Sequence, residues 1–133
     1  MRLDSLVKIE RGPNDDVELG IGWDFDKGQP RTDLDLQAVL FDATGSIIDA
    51  CYYQELTVSN GAVKHSGDNK TGEGAGDDEM ITLDLDAIDP ACKVICFVVS
   101  AQSGTFEHVE SARWELRDIM PNGKKILVSD SLY

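Results

Sequence analysis

The strongest constraint in this sequence is the period of its apolar residues, which is two almost everywhere. Val17, Leu19, Ile21, Trp23 and Phe25 alternate with Glu18, Gly20, Gly22 and Asp24. Successive side chains leave a strand on opposite faces, so this alternation describes a half-buried strand with Asp24 opposite Trp23. In the next run Leu34, Leu36, Ala38 and Leu40 take one face. Asp33, Asp35 and Gln37 take the other, which places two carboxylates side by side at a strand end.

Similar runs predict strands over Leu6 to Glu10, Ile47 to Tyr53, Ala62 to His65, Met80 to Leu85, Lys93 to Ala101, Ala112 to Asp118 and Lys125 to Ser129. Turn chemistry falls between them at Ala43-Thr44-Gly45, Asn60-Gly61 and Pro121-Asn122-Gly123. The Asn-Gly pairs tolerate the positive φ of tight hairpins, so neighbouring strands should pair antiparallel. About nine short strands without a sustained 3.6-residue pattern predict an all-β, antiparallel β-sandwich. The length suits a single domain over residues 1–133. Short helical turns are expected at Asp86 to Ala91 and near Thr105 to Ser111. The unalternating run Val94 to Val99 reads as a central strand, deeply packed or covered on both faces. Trp23, Trp114 and Phe97 fall on apolar faces and read as core. Only one of Tyr52 and Tyr53 can face inward.

Charge narrows the function. The chain carries 25 acidic against 12 basic residues, a net charge of −13, which makes nucleic acid and anionic membrane poor partners. Met1 to Leu6 has no apolar segment behind it, and no run approaches the roughly 20 apolar residues of a membrane span. A cytoplasmic protein is expected. Cys51, Cys92 and Cys96 read as buried, reduced thiols. Cys-x3-Cys with no second pair, and His65 and His108 outside any ligand spacing, argue against zinc. No nucleophile stands beside a base, both histidines read as surface or structural, and no catalytic residue is assigned. Asp77 and Asp78 as an acid–base pair is the weaker reading, because adjacent loop residues point apart.

The stretch GDNKTGEGAGDDE, residues 67 to 79, gathers Asp68, Glu73, Asp77, Asp78 and Glu79 with only Lys70 opposed. If the loop curls, each like pair costs roughly 1–3 kcal/mol at surface dielectrics. A hard divalent cation offsets this, and calcium takes six to eight oxygens in flexible geometry, whereas magnesium keeps several waters. The glycines allow backbone carbonyls to turn inward. With Asp68 as position one, Glu79 falls at twelve, but Lys70, Gly72 and Glu73 occupy positions three, five and six, so this is no EF-hand. The surrounding acids also repel phosphate, despite the Gly-x-Gly-x-Gly run. The bland alternative is a solvated acidic loop. Asp24, Asp33 and Asp35, at strand ends that cluster in a sandwich, favour the ion.

The strings GIGWD at 20 to 24, DLDLQA at 33 to 38 and GDNKTGEGAGDDE at 67 to 79 together resemble the TerD family of tellurium-resistance and stress-response proteins. The resemblance runs from about Leu3 to Leu132. It implies a calcium-binding β-sandwich with two adjacent Ca2+ ions. Carried over residue by residue, it implicates Asp24, Asp33, Asp35, Asp68, Asn69, Thr71, Glu73, Asp77, Asp78 and Glu79 as ligands, some through backbone carbonyls. It also implies protein partners in a membrane-associated stress-response complex. Two functional classes follow: a calcium-dependent interaction or signalling module, and a small-ligand protein for which cyclic AMP is the named candidate. The resemblance implies a further hairpin beyond the strand at Lys125 to Ser129. Two expectations stand side by side, an open sheet edge that invites homodimerisation and a rearranged sheet in a shorter variant.

Overall fold

The computed structural model describes residues 16–25, 33–67, 78–103 and 109–131. They form nine strands: β1 (Asp16–Phe25), β2 (Asp33–Phe41), β3 (Ile47–Cys51), β4 (Thr57–Val58), β5 (Val63–His65), β6 (Glu79–Asp84), β7 (Val94–Ser103), β8 (Val109–Met120) and β9 (Gly123–Ser131). Two sheets result, one of order β4-β5-β6-β1-β8-β9 and one of order β3-β2-β7. All pairings are antiparallel. The predicted all-β sandwich is the observed architecture.

The core follows from the alternation. Val17, Leu19, Ile21 and Trp23 of β1 and Leu34, Leu36, Ala38 and Leu40 of β2 are all buried, as are Ile81 and Leu83 of β6. Each such side chain contributes about 1.5–3 kcal/mol by leaving water, and together they form one core cluster between the two sheets. Phe97 and Trp114 pack partly buried against the same cluster. Tyr53 is exposed and Tyr52 half-buried, their rings edge to face at 5.8 Å.

Hairpin chemistry lies where expected. Asn60 and Gly61 take φ of 54° and 89°, in a short 3-10 turn, Ser59–Gly61, that joins β4 to β5. The Asp42 carboxylate accepts from the Thr44 amide and hydroxyl and the Ser46 amide, closing the β2–β3 turn, and these bonds hold its pKa below the ordinary value. Residues 85–91 form hydrogen-bonded turns, with the Ile88 amide on the Asp84 carbonyl at 3.1 Å. Of the second expected helical turn, residues 109–111 belong to β8, and the remainder lies outside the described residues, as does the Leu6 to Glu10 strand.

Two expectations need correction. The run Val94 to Val99 is not a central strand covered on both faces: β7 pairs only with β2 among the described residues, Val94 is 47% exposed and residues 95–99 are half-buried. Its uninterrupted apolar run reflects an inner face on the core and an outer face that is also apolar. Cys96 lies on that outer side and is half-buried, whereas Cys51 and Cys92 are buried.

On the outer face of the larger sheet, Glu18 is buried although its neighbours in the pattern are glycines. Its Oε1 accepts from Lys124 Nζ at 2.8 Å and forms an ion pair with Arg117, whose Nε lies 2.9 Å away, and Arg117 Nη1 donates to Glu115 at 2.9 Å. One carboxylate thus ties β1, β8 and β9 together. Breaking a buried ion pair from one side costs about 3–5 kcal/mol, but Lys124 is half-exposed. We expect Glu18→Ala to cost about 2 kcal/mol in denaturant unfolding, and Glu18→Met, which refills the space without a charge, to recover part of it.

Candidate metal centre

The acidic loop is the connection of the β5–β6 hairpin, and its two stems are bound to each other. The Ser66 amide donates to the Met80 carbonyl at 2.8 Å, and the Met80 amide donates to Ser66 Oγ at 2.9 Å. Gly67, with φ of 113°, turns the chain out of β5 in a conformation that a side chain would strain.

At the far stem, two consecutive acids are committed to different sheets. The Asp78 amide donates to the Ile21 carbonyl at 2.8 Å, and Asp78 Oδ2 accepts the Trp23 amide at 2.8 Å. Asp78 thereby continues the β1–β6 ladder after Glu79, which pairs with Ile21. Glu79 shares the inward parity of Ile81 and Leu83 and is 1% exposed. Its Oε1 accepts the Leu36 amide at 3.1 Å, so a side chain of the larger sheet is bonded to the backbone of the smaller one.

That bond brings Glu79 to the carboxylates of β2. Ligand oxygens of Asp33, Asp35 and Glu79 all lie within 4.8 Å of one another. Asp35 and Glu79 are buried, and Asp33 is half-buried. The β2–β7 register shifts between Asp33 and Leu34, the kind of irregularity that re-aims side chains next to sites. Two neighbouring strand residues therefore converge with a third from across the sandwich.

Three carboxylates at this spacing repel by about 1–3 kcal/mol per pair at the effective dielectric of partly buried sites. The donor set is hard oxygen, which suits calcium, magnesium or manganese and not the thiolate-loving metals. A divalent cation within bonding distance of all three converts the repulsion into attraction, so the residues fit such an ion.

The other expected ligands divide. Asp24 is exposed and its Oδ2 accepts from Ser111 Oγ at 2.9 Å. It stands outside the converging triad, on the face opposite Trp23. Asp78 uses one oxygen for β1. Asp68, Asn69, Thr71, Glu73 and Asp77 lie outside the described residues.

Sequence reasoning assigned no role at the centre to His65. Its ring is buried between the loop stems: Nδ1 accepts the Gly67 amide at 2.9 Å, and Nε2 lies 3.0 Å from the Leu36 carbonyl and 3.1 Å from Glu79 Oε1. The available signal was position, a histidine closing a strand immediately before the acidic loop.

A TerD domain profile matches residues 5–130. The chain belongs to the TerD family. It is 39% identical over 107 residues to tellurium resistance protein TerZ of Serratia marcescens, an alignment covering 72% of this chain and 55% of that protein. It is 40% identical over 106 residues to general stress protein 16U of Bacillus subtilis (strain 168), covering 72% and 55% respectively. This TerD-family chain thus spans about half the length of the curated relatives it matches. A crystal structure of a TerD homologue from Streptomyces coelicolor A3(2) superposes with a TM-score of 0.73 at 21% identity, covering 89% of this chain and 72% of that one. That likeness is one of fold. Among the described residues no helix is long and apolar enough to cross a membrane.

Proposed function

We propose that this TerD-family chain is a calcium-binding module of a stress response, in which ion occupancy orders the acidic loop and presents a surface to a protein partner. The observation that carries the reading is the convergence of Asp33, Asp35 and Glu79 on one point, at the root of a loop with five further candidate oxygen donors. Coordination, not turnover, is its chemistry. Relatives named for tellurium resistance and general stress support the setting. Direct tellurite chemistry on a thiol is disfavoured at Cys51, because burial pushes that thiol up to about 11 and the thiolate is the reactive form.

An ion that binds only the folded state stabilises it by RT ln(1 + [L]/Kd), about 4 kcal/mol at a thousandfold excess over Kd. For a domain of this size the melting temperature of chelator-treated protein should rise by about 10 °C in millimolar calcium. Magnesium should give a much smaller shift. No calcium-selective rise in scanning calorimetry would return the loop to solvated surface and leave the module without its ion.

A further inference from the structure

We infer that His65 is the positioning residue of the acidic centre, an inference that rests on the calcium reading above. β3 begins its pairing with β2 at Ala38 opposite Cys51, so Leu36 lies beyond the end of that partner strand. Buried backbone groups left without a partner cost about as much as a lost hydrogen bond. Two side chains take the place of β3 here. Glu79 Oε1 accepts the Leu36 amide, and His65 Nε2 meets the Leu36 carbonyl.

The Gly67 amide at Nδ1 makes that nitrogen an acceptor, so the ring proton sits on Nε2, where it is donated to the Leu36 carbonyl with Glu79 Oε1 beside it at 3.1 Å. Both side chains are shielded from solvent. Held at Oε1 by the Leu36 amide and flanked there by the Nε2 edge of the ring at 3.1 Å, the Glu79 carboxylate is restrained in its plane, and with it the direction in which its second oxygen faces. The same ring grips Gly67, the residue from which the loop departs. One imidazole thus sets a carboxylate at the end of the loop, the backbone at its start, and the β2 segment between Asp35 and Gln37. Partners of metal-binding carboxylates are worth about 10–100-fold in affinity where they orient the ligand.

The test is calcium titration of the full chain at a temperature where every variant is folded by circular dichroism. His65→Ala should bind calcium about 10–100-fold more weakly than the unsubstituted protein. His65→Gln places an amide N–H where Nε2 stands and should come back to within about threefold. His65→Asn offers an acceptor to Gly67 but stops short of Glu79, and should remain as weak as His65→Ala. The Leu36 amide proton resonance of the ion-free protein provides the second readout, preserved in His65→Gln and displaced in His65→Ala. Equal calcium affinity in the unsubstituted protein and His65→Ala, or rescue by Asn and not by Gln, overturns the role of His65 while leaving the ion site standing. Failure of the unsubstituted protein to bind calcium overturns the ion site and this role with it.

Discussion

Asp35→Asn is expected to raise the melting temperature of the ion-free protein and to remove its response to calcium. Both effects come from one charge. Asp35 is 1% exposed and offers an oxygen within 4.8 Å of oxygens on Asp33 and Glu79. Without an ion, two like-charge contacts are relieved by the substitution, each costing about 1–3 kcal/mol, and Asn keeps the shape of the side chain. Asp33 is half-buried, so its contact belongs at the lower end. A net gain of about 2 kcal/mol corresponds to roughly 5 °C for a domain of this size. With calcium the order reverses. The substituted centre loses a charged ligand, which should reduce affinity about a hundredfold or more and erase most of the calcium-induced rise. Paired thermal scans with chelator and with millimolar calcium read both signs at once. A lower ion-free melting temperature for Asp35→Asn would show that the three carboxylates are not in net repulsion, and the case for an ion would lose its electrostatic basis.

Such a crossing is the signature of a site whose local instability serves binding. It also explains why the centre was only partly legible in the sequence. The alternation over residues 17–25 and 34–40 placed both core faces, because a period of two admits one assignment of inward and outward residues. It located Asp33 and Asp35 at the start of β2 for the same reason. The sequence groups Glu79 with its neighbours in the loop, although it is the first residue of β6, paired with Ile21 and directed inward. Asp78, one residue earlier, serves the β1 backbone. Adjacent acids in the sequence thus have different tasks, and only the strand pairing separates them.

His65 shows a different limit. Its place at a strand end before the acidic loop is the one local signal, and it does not name a role, since the partners Leu36 and Glu79 lie 29 and 14 positions away along the chain. The β7 run failed for a third reason. Apolar residues on both faces signal a strand shielded on both sides, yet the outer face here is only half-buried, and periodicity carries no information about what covers a face. Family resemblance linked what local pattern could not, the string at 33–38 and the end of the string at 67–79, whose Asp33, Asp35 and Glu79 converge.

Trp23→Ala should give the reciprocal pattern to Asp35→Asn, a large loss of stability with ion affinity kept. Trp23 is among the largest fully buried side chains, 1% exposed between the sheets, and Trp-to-Ala changes in cores cost about 3–5 kcal/mol through lost burial and the cavity left behind. For a marginally stable domain that is a large part of the total, so Trp23→Phe, with a smaller cavity and a cost of about 1–3 kcal/mol, is the variant in which binding should be measured. The link from this position to the acidic centre runs through the backbone: the Trp23 amide donates to Asp78 Oδ2, and the Ile21 carbonyl accepts the Asp78 amide. Neither bond uses the indole. Calcium titration of folded Trp23→Phe should therefore give an affinity within about threefold of the unsubstituted protein, even as its denaturation midpoint falls. If affinity falls in step with stability, the geometry of the centre is set by core packing and not by the stems of the loop. The contrast between the two positions then tests one claim about construction: the sandwich core carries the stability, and the ion centre is held at its edge by a few directed hydrogen bonds.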